Sequence, residues 1–175
     1  ALAQLADGIG DPAVRTRGTL GGSLANNDPA ACYPAALLGL GATVHTDQRD
    51  IDGDAYFLGL YETALAPGEL ITGVSFKLPQ RAAYLKFKQP ASRFALVGVF
   101  VSQGPGGVRV AVTGAGACAF RVAAMETALA RHWAADAIAS VKVPAEGLNS
   151  DLHASATYRA HLIGVLARRA VAQAA

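Results

Sequence analysis

The chain has 175 residues, 52% apolar and 7% aromatic, with a formal net charge of +2. That composition suits an ordered globular protein of one compact domain or two small ones, and it excludes a disordered chain. Arginines scattered along the sequence leave no footprint for nucleic acid. No apolar run is long enough to span a bilayer, and the distant Cys32 and Cys118 form no CxxC metal site or disulfide scaffold.

In chain order, residues 1–7 read as a short helix already under way, ended by Gly8 and Gly10, with Asp11-Pro12 as a turn. A glycine-rich stretch follows, Arg15-Thr16-Arg17-Gly18-Thr19-Leu20-Gly21-Gly22-Ser23. Asp28-Pro29 reads as an N-cap and first turn, and residues 34–40 as a short apolar helix closed by Gly41. Residues 42–46 alternate as a strand should, residues 48–53 look like a hairpin return, and residues 55–58 like a helical turn. Residues 70–78 form a strand with Leu70, Thr72, Val74, Phe76 and Leu78 on one side, stopping at Pro79. A boundary between residues 79 and 80 then separates two parts, 1–79 and 80–175. Beyond it lie three strand-like runs, 83–88, 94–102 and 108–114, the last two joined by the turn Gly104-Pro105-Gly106-Gly107. Residues 121–133 and 157–172 have helical spacing, with Leu162, Val165, Leu166 and Arg169 on one face. The fold class is α+β, with an antiparallel three-stranded meander carrying its helices on one face.

The glycine-rich stretch has two readings. Glycines at 18, 21 and 22 remove Cβ atoms where amides could converge on a phosphate, with Thr19 and Ser23 hydroxyls and the Arg15 and Arg17 charges nearby. The plainer reading is a tight turn. A Walker A loop is excluded because no lysine stands near, and the Rossmann spacing of glycines is absent.

Residues 19–23, with Val14-Arg15-Thr16-Arg17-Gly18 before and Asp28-Pro29-Ala30-Ala31 and Pro34-Ala35-Ala36-Leu37-Leu38 after, resemble the FAD-binding medium subunit of the molybdenum hydroxylases. Carbon monoxide dehydrogenases and xanthine dehydrogenases are its best-known groups. The resemblance continues through Gly68-Glu69-Leu70-Ile71-Thr72, Tyr84-Leu85-Lys86-Phe87-Lys88 and Phe94-Ala95-Leu96-Val97-Gly98-Val99, so it covers most of the chain. It implies that residues 1–79 are the second FAD-binding subdomain, mixed α/β with an antiparallel sheet, and residues 80–175 the small C-terminal domain. Nothing matches the family's Ala-Gly-Gly-rich first phosphate loop, so the chain reads as the C-terminal portion of a longer subunit.

The same resemblance implies site residues. Thr19, Leu20, Gly21, Gly22 and Ser23 would hold the FAD pyrophosphate. Cys32 stands where the family usually has an Asp on the adenosine ribose; a thiol is a poor acceptor there, and the plainer reading is a small buried apolar residue. Asp28 fits a helix N-cap better than a ligand. Lys86 would lie near the isoalloxazine ring, unless it is an ordinary strand lysine like Lys88, and Ile71 would pack on the flavin or in the core. No catalytic residue and no metal site belong to this chain. It would be an electron-transfer oxidoreductase subunit in a hetero-oligomer, cytoplasmic by default. A molybdenum-containing large subunit would oxidise the substrate, and an iron–sulfur small subunit would feed electrons to FAD for an external acceptor. The alternatives are an FAD-free scaffold of the same fold and a generic phosphate-binding module.

Other polar groups read as structural. The four histidines are dispersed without ligand spacing, Ser23 lacks a nucleophile elbow, and the Asp47–Asp54 acidic run lacks the closing Glu of a calcium loop.

Overall fold

A computed structural model of the protein describes residues 1–174. Four short helices come first: α1 (Leu2–Asp7), α2 (Pro12–Arg17), α3 (Leu20–Asn26) and α4 (Tyr33–Gly39). The strands β1 (Thr43–Thr46), β2 (Asp50–Asp52), β3 (Phe57–Gly59), β4 (Glu62–Thr63) and β5 (Ile71–Ser75) follow. The remainder is β6 (Arg81–Lys88), β7 (Ala95–Gly104), β8 (Gly107–Thr113), β9 (Phe120–Arg121), α5 (Ala123–Arg131) and α6 (Ala156–Gln173). β1 to β5 make an antiparallel sheet of order β2-β1-β5 and a β3-β4 hairpin; β6 to β9 make one antiparallel sheet in sequence order. The α+β expectation holds, with β9 added to the three-stranded meander.

The β6–β9 sheet is covered on both faces. Val97, Val99 and Val101 of β7 and Val110 and Val112 of β8 face α5 and α6, meeting Met125, Leu129, Ile163 and Ala167. On the other side Phe100 and Ala111 meet Leu5 of α1 and Ala35, Ala36 and Leu38 of α4. The expected one-sided cover is therefore corrected: α4 supplies the second layer. Accordingly β7 is buried from Ala95 through Ser102, as a two-sided central strand must be. A Cβ on Gly39 would run into the Phe100 ring, so only glycine lets α4 lie this close to the sheet. Each fully buried large apolar side chain contributes about 2 kcal/mol.

Four local expectations change. Asp11-Pro12 is not a turn but the start of α2, with Asp11 accepting from the Ala13 and Val14 amides and Pro at the first helical position. Asp28 starts no helix; its carboxylate accepts from Ala30 N at 2.8 Å in an Asx turn, and α4 begins at Tyr33. The helical turn lies at Gly53–Ala55, and Phe57–Gly59 is already strand. On α6, Arg169 is exposed; the buried stripe is Leu162, Ile163, Leu166, Ala167, Ala170 and Val171.

A β-bulge also alters β5. His45 pairs with Gly73 but Thr46 pairs with Ile71, so Thr72 is the extra residue. The bulge puts Ile71 on the core side with Val74, while Leu70 and Leu78 of the expected apolar face are 66% and 87% exposed.

Candidate functional site

The glycine-rich stretch is a helix rather than an irregular loop. Thr19 is the N-cap of α3, its Oγ1 accepting from Gly22 N at 2.9 Å while its carbonyl accepts from Ser23 N at 3.0 Å. The amides of Leu20 and Gly21, in the first turn, have no intrahelical acceptor. Thr19 still has its hydroxyl proton to donate. Thr19 and Gly22 are exposed, so this turn faces outward with donors to spare. Gly21 lies over Ile71, whose Cγ2 would be 3.7 Å from a Cβ built there. At the other end Asn27, in the left-handed region at φ 45°, is fully buried and donates to Gly59 O and Glu62 O at 2.8 Å each, pinning α3 to the β3–β4 hairpin.

A cavity of about 330 Å³ adjoins this turn, walled by Thr19, Ser23, Arg15, Cys32, Lys86 and Phe94 among others. The segment after α3 carries Cys32 there because its carbonyls are tied to the sheet. Pro29 O accepts from Gly114 N at 2.7 Å, and the Thr113 hydroxyl lies 2.7 Å from Ala31 O. Lys86, on β6, donates to Cys32 Sγ at 3.3 Å. The buried Tyr84 hydroxyl lies beside the same sulfur; burial foremost, then Cys32, pushes its phenol well above the ordinary value. Arg15 is engaged at the rim, donating to Asp7 O at 2.9 Å.

Thus Thr19, Ser23, Cys32 and Lys86 converge on one cavity, and Leu20, Gly21 and Gly22 form the adjoining helical turn. Ile71 lies beneath that turn, not in the cavity wall. Cys32 and Lys86, expected at separate parts of the dinucleotide, lie side by side in the cavity wall. Arg15 and Phe94 were within the matched sequence, but only folding shows them at the cavity. Among the described residues no cluster of His, Cys, Asp and Glu could hold a metal ion, and no helix is long and apolar enough to cross a membrane.

Residues 1–80 match the family described as the FAD binding domain in molybdopterin dehydrogenase. The chain is 36% identical over 180 residues to the nicotine 6-hydroxylase medium subunit of Paenarthrobacter nicotinovorans, covering 95% of this chain and 64% of that one. It is 31% identical to the carbon monoxide dehydrogenase medium chain of Hydrogenophaga pseudoflava, covering 97% and 65%. The fold superposes on a solved carbon monoxide dehydrogenase from Hydrogenophaga pseudoflava with a TM-score of 0.80 at 28% identity, covering 99% of this chain and 66% of that one. The chain belongs to the FAD-binding medium subunits of the molybdenum hydroxylases. It spans a little under two thirds of the length of these relatives.

Proposed function

We propose that this chain supplies the pyrophosphate turn and one wall of an FAD site in an electron-transfer subunit of a molybdenum hydroxylase. The observation that carries it is the first turn of α3, whose unspent Leu20 and Gly21 amides open beside a cavity containing Lys86. A diphosphate suits that turn: the helix N-terminus is positive, and Thr19 can add a hydroxyl donor. Gly22 leaves the turn without a side chain on its exposed flank. Lys86 then holds a cation at the ring end of the dinucleotide, and Cys32, in contact with it, belongs to that end rather than to the ribose. FAD, when bound, supplies the redox chemistry between iron–sulfur clusters on a small partner subunit and an external acceptor. The molybdenum centre that oxidises the substrate belongs to a large partner subunit. The division at residue 79, with the flavin-binding part before it, is part of the same reading.

The test is FAD binding by this chain within its full subunit and complex. Yellow protein that releases FAD on denaturation, together with weaker binding in Thr19→Val, is the expected result. A complete complex that neither carries nor takes up FAD would overturn the reading in favour of a flavin-free scaffold. Equal binding of simple phosphates without flavin preference would favour a generic phosphate module.

A further inference from the structure

We propose that Asp50, His45 and Ser75 form a Ser-His-Asp relay across the β2-β1-β5 sheet that makes Ser75 a site of acylation by activated acyl donors, aryl esters above all. In the strand registers Asp50 stands directly opposite His45, and Ser75 stands opposite Thr43, two residues from His45 on the same face of β1. Val44, between them in sequence, points the other way into the core. His45 Nδ1 is 2.7 Å from Asp50 Oδ1, and His45 Nε2 is 2.6 Å from Ser75 Oγ.

An ionised carboxylate only accepts, so the imidazole proton of neutral His45 sits on Nδ1. Its Nε2 lone pair is left for the serine hydroxyl. That is the tautomer and order in which a carboxylate holds a histidine ready to take a serine proton. Gly73 stands across from His45 and has no side chain to cover it; even a Cβ there would come no closer than 3.9 Å to the ring. Ser75 is exposed, and the His45 and Asp50 side chains keep 35% and 67% of their surface. The relay is thus open to a donor approaching from solvent.

Openness also fixes the class of donor. A nucleophile and base on an exposed sheet lack a water-excluding pocket to stabilise a developing oxyanion, a contribution worth a factor of about 100 to 1,000 per donor. Esters with a good leaving group need that help least. Ser75 Oγ attacks the acyl carbonyl as its proton passes to His45 Nε2. The bond to the phenolic oxygen breaks, the phenolate recovers the proton, and the acyl group remains as an ester on Ser75. None of the three residues lines the cavity beside α3, so the outcome is independent of FAD binding.

The test is to treat the protein with p-nitrophenyl acetate at neutral pH and map adducts by peptide mass spectrometry while following nitrophenolate release. The expected result is a stoichiometric burst with the acetyl group on Ser75. The burst disappears in Ser75→Ala, and the rate of Ser75 labelling falls at least tenfold in His45→Gln and in Asp50→Asn, the latter altering only an exposed side chain. Wild-type protein with Ser75 unlabelled, or labelled no faster than other exposed hydroxyls, would overturn the proposal. So would an unchanged Ser75 rate in folded Asp50→Asn, which would reduce the trio to a passive cross-strand latch.

Discussion

Two cations of this protein are treated in opposite ways. Arg109 bonds both oxygens of Asp54, at 2.7 and 2.9 Å, and also donates to Leu38 O; Arg121 adds a bond to Asp54 at 2.8 Å and grips Glu126. That cluster joins the Gly53–Ala55 turn to β8 and β9, and its charges are spent on holding the protein together. Lys86, half-buried at the cavity, faces a thiol at 3.3 Å and, among the described residues, no carboxylate. The contrast separates a cation that serves the fold from one left with charge for a ligand.

The largest effect expected from testing that contrast is in Asp54→Ala, which strips Arg109 and Arg121 of a shared acceptor. Loss of charged hydrogen bonds of this kind costs about 2 kcal/mol, read as a lower denaturant midpoint at constant slope. Lys86→Met should leave that midpoint nearly unchanged but weaken FAD binding about tenfold, or about 1.4 kcal/mol, by flavin fluorescence titration. Equal destabilisation by both substitutions would erase the distinction.

Cys32→Asp sharpens it from the other side by giving Lys86 a carboxylate and the cavity a strong acceptor. FAD binding should weaken severalfold as the new carboxylate spends the lysine's charge, while tighter binding would mean that position 32 itself accepts from the dinucleotide. The smallest effect concerns acid. Glu69 accepts from Arg49, Ala66 N and the Thr46 hydroxyl, and Arg49 foremost holds its carboxyl at about 2 against an ordinary 4.5. A depressed carboxyl stabilises the fold fully above its unfolded value, and the gain is lost as pH falls through the folded one. Unfolding midpoints of wild type should therefore decline between about pH 4.5 and 2, and Glu69→Gln should flatten that decline.

Local signals in the sequence located much of the fold. The Gly104-Pro105-Gly106-Gly107 turn closes β7 on β8 with Gly104 paired to Gly107, and the apolar spacing of residues 157–172 became α6. Asp11-Pro12 was a legible helix start, since a capping acid before a proline is its usual signature. α3 was harder to read. Two glycines give it poor intrinsic helicity, and it is held by the Thr19 cap and by Leu24 in the core, the latter visible only after folding. The bulge at Thr72 left no mark in the sequence, so the alternation holds at Val74 and Phe76 but is one residue out of phase before them, where Ile71 rather than Leu70 or Thr72 faces the core. Contacts between distant positions were beyond local reading: Lys86 and Cys32 lie 54 residues apart, and Ser75 and His45 lie 30 apart.

The seating of Gly39 on Phe100 has a bearing on autonomy. Severing the chain after residue 79 would strip one face of the long sheet of its helical cover and leave α4 with its apolar side in water. Each piece would keep a cluster of its own, around Val99 and Ile163 in one and Leu37 and Val44 in the other, but would lose the layer in which Leu5, Ala36 and Leu38 meet Phe100 and Ala111. The two parts therefore share one buried layer, and a substitution at Phe100 would be felt by α4 across it.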